Sequence, residues 1–160
     1  MRGARHVAIG KGFTTGVSCR IDAFPEKAGT CIHIGKDVQI NDYVHLGSVE
    51  SITIGDRVLI ASKVFISDHN HGVYKGSEAH SSPFESPIER KLVSAPIVIE
   101  DDVWLGEFVC VLPGVTIGRG SIIGAMSVVT RSIPPMCIAV GSPAKVIKSY
   151  DIVSSSWVEV

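Results

Sequence analysis

Two histidines one residue apart, His69 and His71, follow an aspartate in the run Val64-Phe65-Ile66-Ser67-Asp68-His69-Asn70-His71-Gly72. An imidazole titrates near 6.5, so a positioned ring can take the proton of a hydroxyl that is hardly ionised near neutral pH. Any transfer to an alcohol needs such a base. Asp68 either orients one of the rings or simply solvates the loop, and the two rings are expected to point differently if the strand persists. Together with His45, the same imidazoles would also suit zinc.

These residues sit where a six-residue rhythm stops. Aliphatic residues recur at Ile99, Leu105, Val111, Ile117, Ile123 and Val129, and the next residue is repeatedly small or acidic, as at Glu100, Gly106, Gly118 and Gly124. An earlier block holds Ile34, Ile40 and Leu46, then Ile54, Ile60 and Ile66, displaced by twenty residues. That displacement is three hexads plus two residues, which should bulge from a corner near Ser48, Val49 and Glu50. A weaker trio, Ile9, Thr15 and Ile21, opens the chain, and an insertion over residues 23–33 precedes the main pattern. Four residues after each aliphatic position comes a second small or apolar one: Val38, Val44, Val58, Val64, Val103, Val109, Val115, Ser121 and Ser127.

Six is not a helical period. The paired series fit a short strand with one inward side chain, a sharp glycine-assisted turn and a second inward residue near the corner. Three hexads close one coil, so the chain is expected to be all-β and to wind as a triangular prism of about five stacked coils of parallel strands, on the order of 24 Å long. A long inserted loop at about 68–95 and a short tail at about 135–160 complete a single expected domain over residues 1–160.

The most specific motifs lie in residues 99–148. They are Val103-Trp104-Leu105-Gly106, Leu112-Pro113-Gly114-Val115-Thr116-Ile117-Gly118, Ile123-Gly124-Ala125, Ile133-Pro134-Pro135 and Gly141-Ser142-Pro143-Ala144-Lys145-Val146-Ile147-Lys148. On these the chain resembles the hexapeptide-repeat acyltransferases over nearly its whole length. It looks most like the sugar O-acetyltransferases, including the galactoside and maltose enzymes and those that modify lipopolysaccharide or capsule sugars. The resemblance implies a left-handed parallel β-helix, a hand the period itself does not reveal, since right-handed crossovers are the general rule. It also implies a cytoplasmic homotrimer with active sites between subunits, acetyl-CoA as donor, a sugar or glycan hydroxyl as acceptor, and no metal.

Carried over position by position, the resemblance makes His71 the catalytic base, followed here by Gly72 where the family has proline. On the acceptor side it points to Asn41. Glu50 stands one residue after the family's acidic position, which is Val49 here, and Asp68 and His69 complete the expected acceptor contacts. The inserted loop is expected to reach toward a neighbouring subunit as a lid. On the donor side Trp104 should lie beside the cofactor, with Glu107 where the galactoside enzymes carry an oxyanion-stabilising serine. Gly124 and Ala125 should flank the pantetheine arm, Thr130 and Arg131 the adenine nucleotide, and Lys145 and Lys148 the phosphates in place of two arginines. The expected reaction is direct transfer, with backbone amides holding the oxyanion. No cysteine lies near His71 in the pattern, which disfavours an acyl-cysteine route.

Composition narrows the alternatives. Fifteen Lys and Arg against sixteen Asp and Glu leave the 160-residue chain near neutral, which gives no support to a broad nucleic-acid or membrane-surface role. Four cysteines without CxxC spacing read as reduced, packed thiols of a cytosolic protein. No N-terminal apolar run has signal or membrane-spanning length. The competing readings are transfer to an amino sugar or serine, a non-catalytic assembly module, and a zinc enzyme like the gamma-type carbonic anhydrases. The histidine spacing does not match that last family.

Overall fold

The computed structural model describes residues 1–25, 28–76 and 79–160. Residues 26–27 of the first insertion and 77–78 of the inserted loop lie outside the described residues. The chain winds as a three-faced prism. Its first face stacks Val7–Ile9, Ile32–Ile34, Ile52–Ile54, Ile97–Ile99 and Thr116–Ile117 in parallel. The second stacks Thr14–Thr15, Gln39–Ile40, Leu59–Ile60, Trp104–Leu105 and Ile122–Ile123, and the third Arg20–Ala23, His45–Ser48, Phe65–Ser67, Cys110–Val111 and Val128–Val129.

The six-residue rhythm becomes the interior. From Ile34 to Val129 every aliphatic residue of the hexad series is buried, and so are the valines four positions later. Each fully buried Val, Leu or Ile contributes about 1.5–3 kcal/mol. The first coil departs from the expectation: Ile9 is 44% exposed and Thr15 is exposed too, because no complete coil covers them from below. Ser121 and Ser127 are inward but not idle. The Ser121 hydroxyl donates to the Pro134 carbonyl at 2.8 Å and accepts from the Cys137 N–H, while that of Ser127 accepts from the Gly141 N–H at 3.0 Å.

The small residues of the rhythm reflect how closely successive coils stack. A Cβ on Gly118 would fall 2.3 Å from the Pro135 nitrogen. The corners, by contrast, use fewer glycines than expected. Asp37, Arg57 and Asp102 on one corner, and Tyr43, Lys63, Phe108 and Met126 on the next, hold φ between 53° and 61°. Such left-handed backbone costs a non-glycine residue about 1–2 kcal/mol. At these corners each such residue donates its N–H to a corner carbonyl of the coil before, as Arg57 does to Lys36 at 2.8 Å and Met126 to Glu107 at 2.8 Å.

All irregularity is confined to the remaining corner, between the third face and the first. Paired positions are offset by 18 residues between the fourth and fifth coils (Ile99 against Ile117), but by 25, 20 and 45 at Val7 against Ile32, Ile32 against Ile52 and Ile52 against Ile97. Each excess leaves the prism after a third-face strand and returns before a first-face one. The tail is ordered rather than simply solvated. Cys137–Gly141 continues the second face in parallel, and Ala144–Asp151 and Ser156–Glu159 extend it antiparallel. No helix among the described residues is long and apolar enough to cross a membrane.

Candidate active site at the interrupted corner

The two-residue bulge and the long insertion meet at Asp68. Its carboxylate is fully buried at 0% exposure and sits in a cradle of backbone donors: the N–H groups of Val49, Glu50 and Ser51 reach it at 3.0, 2.9 and 2.8 Å. The Ser48 hydroxyl adds a fourth bond at 2.7 Å. Those extra residues thus supply the donors that make burying a carboxylate tolerable. The remaining capacity of Oδ1 goes to Nδ1 of His69 at 3.0 Å. Since a carboxylate only accepts, the proton of the neutral ring sits on Nδ1 and Nε2 keeps its lone pair.

His69–His71 forms a strand paired antiparallel with Leu92–Ser94, so the insertion begins and ends as a hairpin. The strand corrects one expectation: residues two apart share a face, and both rings line the same groove, their centroids 6.4 Å apart. Gly72 closes the hairpin at φ 113°, with its N–H donating to the Lys91 carbonyl at 2.8 Å. Proline can supply neither that φ nor that donor. A Cβ there would also strike the Tyr74 hydroxyl, which donates to the His71 carbonyl at 2.6 Å and accepts from Arg90. The departure from the family pattern at position 72 is therefore a different way of closing the hairpin behind His71.

The hairpin forms one wall of a groove of about 430 Å³ on the third face. Strand register builds its floor in two rows: Arg2, Asp22, Gly47 and Ser67 in one, and Arg20, His45 and Phe65 in the other. At the centre Gly47 leaves open the space between His45 and His69 that a side chain would fill. The hydrogen bonds from Arg2 and then Arg20 hold the Asp22 carboxyl well below the usual carboxylate range, against the opposing effect of burial. Burial, reinforced by Arg20, pushes the His45 imidazole below its ordinary value although Asp22 lies 3.4 Å away.

Of the expected acceptor residues the structure brings His69 and His71 to this groove, with Asp68 beneath. Because Asp68 is sealed, its contact is with His69 and not with an acceptor. Glu50 turns to a separate cavity lined also by Cys31 and Ser94. Asn41 sits at the end of a second-face strand, its carbonyl oxygen Oδ1 accepting from Gln39 at 3.1 Å, away from the groove of its own chain. No group of three or more His, Cys, Asp or Glu placed to hold a metal occurs among the described residues.

The expected donor residues lie elsewhere. Trp104 is half exposed on the second face between Leu59 and Ile122, and Glu107 and Ala125 are exposed at the next corner. Gly124 has a reason of its own to be small, since a Cβ would meet Cγ1 of Val140 at 2.7 Å. Lys145 and Lys148 pair with Val140 and Ile138 in the same sheet, and Lys148 also meets Glu159 at 3.1 Å. Thr130 and Arg131 follow the last third-face strand and are exposed. Within one chain these side chains do not converge with His71.

Sequence reasoning passed over Arg2, Arg20, Asp22, Phe24 and Leu92, which line the groove with the histidines. The signal existed as the 25-residue offset that aligns Arg20 with His45, but the insertion after Ala23 hides it from a search for hexads.

A family profile described as "Bacterial transferase hexapeptide (six repeats)" matches residues 96–131. The chain is 50% identical over 151 residues to WbbJ of Escherichia coli (strain K12), named as a lipopolysaccharide biosynthesis O-acetyl transferase, covering 94% of this chain and 76% of that one. Its coil superposes on a maltose O-acetyltransferase from Clostridium difficile 630 with a TM-score of 0.75 and 32% identity, over 92% of this chain and 72% of the other. A galactoside acetyltransferase in complex with coenzyme A gives a TM-score of 0.71 at 34% identity, over 90% of this chain and 65% of that one. With half its residues shared along three quarters of WbbJ, and with a left-handed β-helical coil, the chain belongs to the hexapeptide-repeat acetyltransferase family.

Proposed function

We propose that the protein moves an acetyl group from acetyl-CoA to a hydroxyl of a sugar destined for a surface polysaccharide of the lipopolysaccharide or capsule kind, with His71 as general base. The observation that carries this reading is the exposed His71 ring, held beside His69 on a hairpin strand over a groove of about 430 Å³. The identity shared with WbbJ supports the acceptor class.

In this mechanism the acceptor lies in the groove and His71 takes its hydroxyl proton as the oxygen attacks the thioester carbonyl. The carbon–sulfur bond breaks, backbone amides steady the oxyanion, and the proton passes to the leaving thiolate. His69, its lone pair turned outward by Asp68, accepts a hydrogen bond from the acceptor. The separation of Trp104, Gly124, Ala125, Lys145 and Lys148 from the groove supports a homotrimer in which one chain's groove faces a neighbour's donor surface. Phe84 and Ile88, 99% and 84% exposed on the inserted loop, suit packing against that neighbour.

The 3.0 Å bond to Asp68 favours a second reading in which His69 is the base. Acetyl transfer to a panel of glycans by single variants separates the two. His71→Ala is expected to lower kcat by roughly 10²–10⁴ and His69→Ala by less. The opposite ranking moves the base to His69, and transfer undiminished in both variants removes the histidine base altogether.

A further inference from the structure

The first-coil end of the groove carries charge that neither the fold nor the proposed transfer uses. Arg2 reaches Asp22 through both Nε, at 2.7 Å, and Nη2, while its backbone pairs with Ile21 and Ala23, so Arg2 alone is enough to close the coil beneath the third face. Arg20 donates only its Nε to the same carboxylate, and its two Nη groups have no partner among the described residues. The arginine side chains are 55% and 57% exposed, whereas that of Asp22 is 6% exposed. Two open cations over one buried anion leave this end of the groove positive, and among the described residues no second carboxylate lines it.

A guanidinium with a free pair of N–H groups matches a carboxylate or phosphate in a planar fork. Two apolar rings line the same groove: Phe24 lies 5.6 Å from the Arg2 guanidinium and Phe65 stands edge-on to His45 at 5.3 Å. Such faces suit the C–H side of a sugar ring. Register sets the distance from the histidines. Asp22 and Ser67 are two strand spacings apart through Gly47, roughly 10 Å, which exceeds one pyranose ring.

We propose that Arg20, with Arg2 behind it, is an anion subsite of the acceptor groove, and that the natural acceptors carry a carboxylate or phosphate one sugar unit away from the hydroxyl that is acetylated. This rests on the acceptor reading above and narrows it from glycans to acidic glycans.

The test uses the full chain, acetyl-CoA and three matched disaccharides of the best-acetylated sugar, whose second unit is glucose, glucuronate or glucose 6-phosphate. The charged acceptors should show KM lower by roughly tenfold or more, and the better of the two identifies carboxylate or phosphate as the source. Arg20→Gln should erase most of that ratio while Arg20→Lys keeps part of it. Arg57→Gln, at a different corner, should leave it intact. Equal KM for neutral and charged acceptors, or a ratio indifferent to Arg20→Gln, overturns the subsite while leaving sugar acetylation standing. Absence of transfer to every sugar would overturn the acceptor reading and this inference together.

Discussion

The coils from Ile97 to Val129 and the corner from Ser67 to Ile97 are both built from short strands but solve opposite problems. The regular coils bury every inward aliphatic residue and repeat at 18 residues. The interrupted corner buries a carboxylate, pairs two short strands in the antiparallel sense and aims two imidazoles at a groove. Stability and chemistry are thereby separated in space: the stack holds the third face rigid, and the loops that leave its one open corner are free to carry function. Damage to the buried ladder of the first region should appear as lost stability, and damage to the second as lost transfer.

Leu105→Ala gives the largest stability effect, because Leu105 is fully enclosed in the ladder. It should cost about 2–5 kcal/mol in denaturant unfolding while the folded fraction keeps its specific activity. A proportionate loss of kcat would mean that coil packing and groove geometry are not separable. Asp68→Asn probes the other region. Turning an amide toward a cradle of donors should cost about 1–3 kcal/mol and lower acetyl transfer as His69 loses its orientation. Unchanged kinetics there would assign Asp68 to folding alone.

A smaller effect concerns His45. Its folded value lies below the unfolded one, so the native state binds fewer protons and stability should be complete above the ordinary histidine range and fall as pH drops through it. His45→Asn should flatten that part of a melting-temperature profile. The smallest effect is expected at the corners. Met126 is exposed with φ 61°, so Met126→Gly should stabilise the chain by roughly 1 kcal/mol or less.

The coil was legible because an inward side chain every six residues leaves a periodic trace, and Ile34 to Val129 obey it. The corner was only half legible. The bulge at Val49 and Glu50 and the break after Ile66 mark where the pattern fails, but an aperiodic segment says nothing about its own partners. Nothing local predicts that three consecutive N–H groups would cradle Asp68, or that residues 69–71 would be a strand and so put both rings on one face, since the pairing of His71 with Leu92 spans the whole insertion.

By itself, then, the chain's order of residues determined the prism, its interior ladders, the location of the interruption and the histidines within it, because each follows from short-range spacing. Only the tertiary structure decided which imidazole a carboxylate holds, why glycine stands at position 72 and that Arg2, Arg20 and Asp22 complete the groove. Those depend on strand register across insertions of unequal length, and register is set by packing rather than by neighbours in the chain.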